Sequence, residues 1–449
     1  MPKKVRGRFV YDNLVIRSLG DNYPEIGEQL SPHFSEFGYV RHRLEIEYWW
    51  LYFLIVKGIA RLPEDYIKTH GETSQDKFLD QIYDFNDADL SRINELENQV
   101  TESKAYELFM AEKLKKQGME ALVKFVHLGC SDAEMDMCAH ASIFNDSKEI
   151  LIEAVRELNE QIAAKADEFK DVQYREFYAF EPYVTTIGKE LMGWEDRLAD
   201  AFEFLEGIDI ALEFSGAAKN YTTFEMIRKD AEGREIIVDW KELCKEFIEG
   251  KLGYTFISTS DKKFNNDSAY QIFNAIIELN RNLESLYKWL GKNNTTLYVL
   301  RDDVSFHHDH VLYSIKLSNA ILTKAITSLN ERSFKLNSFA FGNIGLAIGY
   351  SMKAIKQLAE FISKIHIDYE SIKIDASASW ASLVHNIRVV LKLNDLTEEE
   401  EKLSRLEIEG KTSKQELHEF VRSLDISHED KQMLLALTPM SYANEASSW

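Results

Sequence analysis

The chain has 449 residues, of which 45% are hydrophobic and 29% charged, enough apolar matter for a packed core and too mixed a charge pattern for a disordered chain. Asp plus Glu outnumber Lys plus Arg by 75 to 53, a net charge of −22 that repels phosphate backbones and anionic lipid. No nucleic-acid or membrane partner is therefore expected, and a small anionic substrate would need a local basic pocket. The longest apolar run, Tyr48 to Val56, is far short of the ~20 residues of a membrane span and reads as a helix buried on several sides.

Residues 1–32 read as irregular, with turn signals at Gly20-Asp21-Asn22-Tyr23-Pro24. A long helix is predicted from near Pro32 to about Ala60, stopped by Pro63, followed by polar residues 62–95 with short helical stretches. Asn98 to Gln117 is predicted helical, with Tyr106, Leu108, Phe109 and Leu114 on one broad face. Lys148–Phe169, Thr185–Ile210, Ser268–Leu290, Val311–Asn330 and Ala340–Ile365 carry apolar residues at three- and four-residue steps and run to about 20 residues or more, against a mean near 11–12 for globular helices. Only six prolines interrupt the chain, none between Pro63 and Pro182 or between Pro182 and Pro439, so long helices are permitted. Thr397–Arg405, Ser413–Leu424 and His428–Leu437 read as small helices, with Thr397 and Ser413 as N-caps facing Glu400 and Glu416. Arg234–Val238 is the best candidate for a strand. Several long helices in one region point to an elongated bundle.

Cys130, Cys138 and Cys244 match no zinc spacing and read as reduced, buried thiols, consistent with a cytoplasmic location. MPKKVRGR is basic, but no apolar segment of a secretory signal follows it. His307-His308-Asp309-His310 is the sharpest metal-like cluster, yet no partner ligand accompanies it, and it reads as a solvated helix start. No metal site and no cofactor is expected.

Three stretches resemble adenylosuccinate lyase of the fumarase/aspartase superfamily: FSEFGYVRHRLEIEYWW (Phe34–Trp50); KAYELFMAEKL with FVHLGCSDAEMD (Lys104–Leu114, Phe125–Asp136); and TTIGKELMGWEDRL with FSGAAKNY (Thr185–Leu198, Phe214–Tyr221). Weaker likeness in DSAYQIFNAIIELN, LSNA, NIGLAIGYS and LTPMSY keeps the same order, so the resemblance covers nearly the whole chain. It implies an all-α, three-domain fold: a helical N-terminal domain (1–110), a central long-helix bundle (111–366) and a small helical C-terminal domain (367–449). It also implies a homotetramer whose active sites draw residues from three subunits.

The family's β-elimination needs a general acid, a general base and stabilisation of an aci-carboxylate. Its T-x-H-G-Q-x-P motif, counted back without gaps from Gly188-Lys189-Glu190, reads Glu176-Phe177-Tyr178-Ala179-Phe180-Glu181-Pro182, so Tyr178 stands where the acid histidine would be. The flexible G-S-S-x-M-P-x-K-x-N loop carrying the serine base is not found. Its place reads Thr296 to Val304, with Asp302 in place of the loop lysine. The T-N-H-D segment reads Gln99-Val100-Thr101-Glu102, and T-S-E-D reads Ser131-Asp132-Ala133-Glu134. Tyr178 is the candidate catalytic residue; Ser131, Lys189 and Asn220 are candidate substrate-binding residues, with Lys189 and Glu190 also readable as structural. Three functions stay open: a non-catalytic scaffold with a small-molecule ligand in a degenerate pocket, an enzyme remodelled for a less anionic substrate, or a divergent lyase releasing fumarate from a succinylated purine nucleotide.

Overall fold

A computed structural model describes residues 23–71, 77–78, 80, 84–178, 181–258, 267–293, 297–298, 308–329, 338–409 and 412–442. Helices dominate these residues and the fold is all-α. By contact density the chain divides into two units, one comprising Met1–Glu153, Phe202–Asn280 and Tyr313–Lys353, the other Ala154–Ala201, Arg281–Leu312 and Ala354–Trp449.

The first unit opens with α1 (Pro24–Phe34) and α2 (Glu36–Val56), where a single helix from Pro32 was expected. Ser35 makes the break: its backbone is extended, and its hydroxyl accepts a hydrogen bond from Gly38 N at 3.0 Å, capping α2. Pro32 sits inside α1, and residues 24–32 are helical rather than irregular. The run Tyr48–Val56 is helical and buried on most sides, as expected. Trp50 is fully buried, with the rings of Phe53, Phe214, Phe224 and Phe247 centred 4.9–5.9 Å away.

Next come α3 (Glu64–His70), α4 (Asp87–Glu97) and α5 (Glu102–Lys116). The Asn98–Gln117 prediction is thus trimmed, because Thr101 is the N-cap and the chain turns between Glu97 and Thr101. Helix α6 (Asp132–Glu168) starts sixteen residues before the predicted Lys148, since its first turns already bury Met135, Cys138, Ala139, Ile143 and Phe144. Later elements of this unit are β3 (Ala211–Glu213), paired parallel with β4 (Thr255–Ile257). Arg234–Val238 forms no strand; an isolated bridge, Lys229 to Glu235, is its one ladder contact among the described residues.

Helices α8 (Asp267–Lys292), α9 (His308–Leu329) and α10 (Ser338–Ser363) follow the predicted spans closely. Within the first unit they share a buried polar line: Asn280 Nδ2 donates to Ser318 Oγ (3.1 Å) and Asn319 Oδ1 (2.8 Å), and Ser318 Oγ meets Ser351 Oγ at 2.9 Å. Such a line fixes the axial register of apolar helices, because sliding one of them strands buried polar atoms.

The second unit holds a hairpin that the helical reading missed. Strands β1 (Gln173–Tyr178) and β2 (Glu181–Thr186) pair antiparallel without a bulge, from Gln173 opposite Thr186 to Tyr178 opposite Glu181. Helix α7 (Ile187–Glu206) follows directly, capped by Thr186 Oγ1, which accepts from Lys189 N at 3.2 Å. Two-residue strands β5 (Leu297–Tyr298) and β6 (His366–Ile367) also pair antiparallel. The end of the chain packs α11 (Tyr369–Ala378), α12 (Val384–Leu393), α13 (Thr397–Ile408), α14 (Lys414–Ser423) and α15 (His428–Ala436). Leu391, Leu403, Leu417, Val421 and Leu434 form the core of the last four. Ser413 and Glu416 close the expected capping box, whereas Thr397 is the first helical residue and Leu396, with no side-chain bond, is the cap. The three cysteines are buried and unbridged. Among the described residues no helix is long and apolar enough to cross a membrane.

Candidate functional site

Two of the family-like segments meet in the first unit. The segment leading into α6 crosses the loop Phe214–Tyr221, and two glycines let them touch. Gly129 has φ +81° and a Cβ there would lie 2.4 Å from the Phe224 ring; Gly216 has φ +81° and a Cβ would lie 3.2 Å from the Gly129 carbonyl oxygen. Glu134, nearly fully buried, joins the two. Its Oε2 accepts from Ser131 N (3.0 Å) and Ser131 Oγ (2.9 Å), and its Oε1 accepts from the amides of Ser215 and Gly216 (2.7 Å for the latter). Ser131 is therefore a helix cap whose hydroxyl proton is committed to Glu134. The S-x-x-E spacing that signals such a box was present in the sequence. Asn220 is exposed; its Oδ1 accepts from Thr222 N (3.2 Å) and Thr222 Oγ1 (2.7 Å), holding the loop's own turn. Three of the four non-glycine residues with positive φ among the described residues, His127, Lys219 and Tyr221, lie in these two segments. Such conformations cost of order 1–3 kcal/mol each, and they persist only where the surroundings over-determine them.

Behind this crossing lies a buried ionic network that sequence reading missed. Arg43 is fully buried; its Nη1 donates to Glu47 Oε1 (2.7 Å), its Nε to Asp136 Oδ1 (2.8 Å), and its guanidinium lies 5.4 Å from the Tyr106 ring centre. His127 Nδ1 donates to the same Glu47 oxygen at 2.7 Å, and its Nε2 is 3.3 Å from Asp132 Oδ1. Burial pushes the Glu47 pKa upward, but Arg43 and His127 outweigh it and hold the carboxyl below its ordinary value. Burial likewise works to lower His127, and its bond to Glu47 reverses the sign, so the imidazole is raised. The available signal was a charged pair four residues apart, Arg43 and Glu47, inside an apolar helix.

The second unit contains Tyr178, Lys189 and a third unforeseen residue. Tyr178 ends β1; its side chain lies outside the described residues, as do residues 299–307 and most of the His307–His310 cluster, in which the side chain of His310 alone is described, and is exposed. Lys189 is exposed in the first turn of α7. Glu176, two residues before Tyr178 on β1, is 4% exposed and accepts from five donors: Phe177 N (2.8 Å), Tyr174 Oη (3.0 Å), Trp289 Nε1 (3.2 Å), Lys292 Nζ (2.5 Å) and Asn293 Nδ2 (3.3 Å). Burial opposes its ionisation, but the bonds from Lys292, Phe177 and Tyr174 prevail and lower its pKa. Glu190, half-buried, moves the other way, raised first by burial and then by the Glu176 charge, and accepts from Tyr183 Oη at 3.3 Å. Of the candidate residues, Ser131 and Asn220 thus belong to one unit, and Tyr178 and Lys189 to the other.

The frame matches known proteins along its length. A fumarate lyase from Mesorhizobium sp. BNC1 superposes with a TM-score of 0.66 at 14% identity, covering 94% of this chain and 96% of that one. The beta-carboxy-cis,cis-muconate cycloisomerase of Acinetobacter calcoaceticus gives 0.64 at 12% identity, over 94% and 96%. These likenesses show that the chain shares the fold of those two enzymes. Residues 336–443 match the family described as adenylosuccinate lyase C-terminal. Adenylosuccinate lyases of Haemophilus influenzae (24% identical, 95% of this chain and 96% of that one) and Buchnera aphidicola from Acyrthosiphon pisum (25%, 92% and 93%) align over almost their full lengths. The chain is thus similar along almost its whole length to adenylosuccinate lyases, and its C-terminal quarter matches the model of that family's C-terminal region.

Proposed function

We propose that this chain is an adenylosuccinate-lyase-like scaffold that has lost the β-elimination and serves as a binding or assembly protein. The observation that carries this reading is the gapless count back from Gly188-Lys189-Glu190, which puts Tyr178 at the place of the family's acid histidine. The sequence contains no histidine between His140 and His307, so no local slip supplies one. A tyrosine with an ordinary pKa of ~10 is a weak proton donor near neutrality. The serine-loop motif is missing from the sequence altogether, and Ser131 already spends its proton on Glu134. Asp132 and Asp302 replace groups that would face an anionic substrate, which disfavours a multiply charged nucleotide. The three-domain division at residues 110 and 366 and a cytoplasmic homotetramer are part of this reading. They rest on the family likeness and on apolar helices whose outer faces need cover.

A second reading has one observation in its favour. Strained residues persist at the Ser131–Asn220 crossing, as a retained binding site for a small molecule or for a divergent fumarate-releasing reaction would require. Absorbance assay of fumarate release from adenylosuccinate tests the proposal. No turnover above the uncatalysed rate is expected, with the Tyr178→Phe protein indistinguishable from the parent. Turnover at an ordinary enzymatic rate that disappears in Tyr178→Phe would establish the divergent lyase instead.

A further inference from the structure

In the first unit, three metal-ligating side chains from three different helices converge beside the break between α1 and α2: His33 at the end of α1, His42 in α2 and Asp146 in α6. His33 Nδ1 lies 3.2 Å from His42 Nε2 and 3.4 Å from Asp146 Oδ2, and His42 Nε2 lies 3.9 Å from the same oxygen. A triangle with those edges has a centre about 2.0 Å from every corner, which is the bond length of zinc to imidazole nitrogen and to carboxylate oxygen. From this geometry we infer that His33, His42 and Asp146 bind a first-row divalent transition ion of the zinc type.

The surroundings are those of a built site. His42 is held from behind: its Nδ1 bonds Ser142 Oγ at 3.1 Å, and when Nδ1 donates there Nε2 is left with a free lone pair for a metal. Ser142 and Asp146 are four residues apart and share one face of α6, and Ser142 is itself tied to the hydroxyl of Tyr254. His42 is 3% exposed and His33 14%, while Asp146 at 42% opens the fourth corner to solvent. Three protein ligands with an open position suit a zinc-type ion that keeps a water. The charges facing the site are Arg41, Glu45, Asp146 and Glu149; Arg41 is offset by Glu45, its Nε 3.4 Å from the carboxylate, so the net local charge favours a cation. Without a metal the two imidazole nitrogens lie within hydrogen-bond distance, and one of them must carry the shared proton. Binding displaces that proton from between the two nitrogens and ties both sides of the Ser35 break to α6.

The test uses the full-length protein stripped with a chelator and titrated with Zn²⁺ by calorimetry and with Co²⁺ by visible absorption. One ion per chain is expected, with the d–d bands of a low-coordinate nitrogen and oxygen site, together with a rise in melting temperature. His33→Asn and Asp146→Asn, both at least partly exposed, should each weaken binding at least tenfold while leaving the circular dichroism spectrum unchanged. The triple variant H307N/H308N/H310N should bind as the parent does. Absence of saturable binding in the parent overturns the proposal. So does a Co²⁺ spectrum that survives His33→Asn with Asp146→Asn, or one that vanishes with the 307–310 variant.

Discussion

Removing Arg43 isolates a buried ion pair in the first unit. Its side chain and that of Glu47 are 0% and 1% exposed, so Arg43→Met leaves the Glu47 carboxylate in the core with His127 as its remaining cation. Breaking a buried pair from one side costs about 3–5 kcal/mol. The pair itself is worth much less, because Arg43 Nη2 and Glu47 Oε2 find no hydrogen-bond partner among the described residues and both charges pay desolvation. Arg43→Met with Glu47→Leu should therefore lose less stability than Arg43→Met alone. The pH dependence has a fixed sign. Glu47 is lowered on folding, so its contribution is present above its unfolded pKa, near 4.5, and is lost as pH falls through the folded value. His127 is raised, so its contribution is full below its unfolded pKa, near 6.5, and fades as pH rises through the folded value. Both contribute fully between those two points. Urea unfolding followed by circular dichroism from pH 3.5 to 9 should show a maximum in that window, flattened in the double variant. If Arg43→Met costs under about 1 kcal/mol, or the double variant is the least stable of the set, the reasoning about an uncompensated buried charge is wrong.

Two glycines of α7 should respond in opposite directions to alanine. A Cβ on Gly188 would lie 2.4 Å from the Ala166 carbonyl oxygen and 2.6 Å from Lys170 Cα, both backbone, so Gly188→Ala should lower the melting temperature clearly, by about 1–3 kcal/mol of overpacking. Gly193 meets nothing within 4 Å, and Gly193→Ala should raise stability by about 0.5–1 kcal/mol through helix propensity, read in the same thermal scan. Glu176→Leu should destabilise by about 2–4 kcal/mol, since Trp289 Nε1, Asn293 Nδ2 and Tyr174 Oη lose their common acceptor, whereas Glu176→Gln, which keeps an acceptor oxygen, should lose roughly half as much in urea titration.

What the sequence settled by itself is the part of the structure written in local periodicity. Apolar residues at three- and four-residue steps marked α8, α9 and α10 to within a few residues, because a helix must bury one stripe and repeats that demand every turn. Ser413 with Glu416 gave a helix start for the same reason: cap and partner are three residues apart in the chain. Ordered family-like segments carried the likeness to adenylosuccinate lyases. The misses lie where distant residues decide. The hairpin Gln173–Thr186 has no clean alternation of apolar and polar residues, and its strands are fixed by each other. The Ser35 break inside an otherwise continuous helical pattern depends on a close approach of Gly38 to Pro32. Glu176 reads as an ordinary surface glutamate until Trp289, Lys292 and Asn293 arrive from more than a hundred residues away. His33, His42 and Asp146 carry no motif spacing at all. Their donor atoms come within bonding distance of one point because three helices converge, and convergence is a property of packing that no single segment encodes.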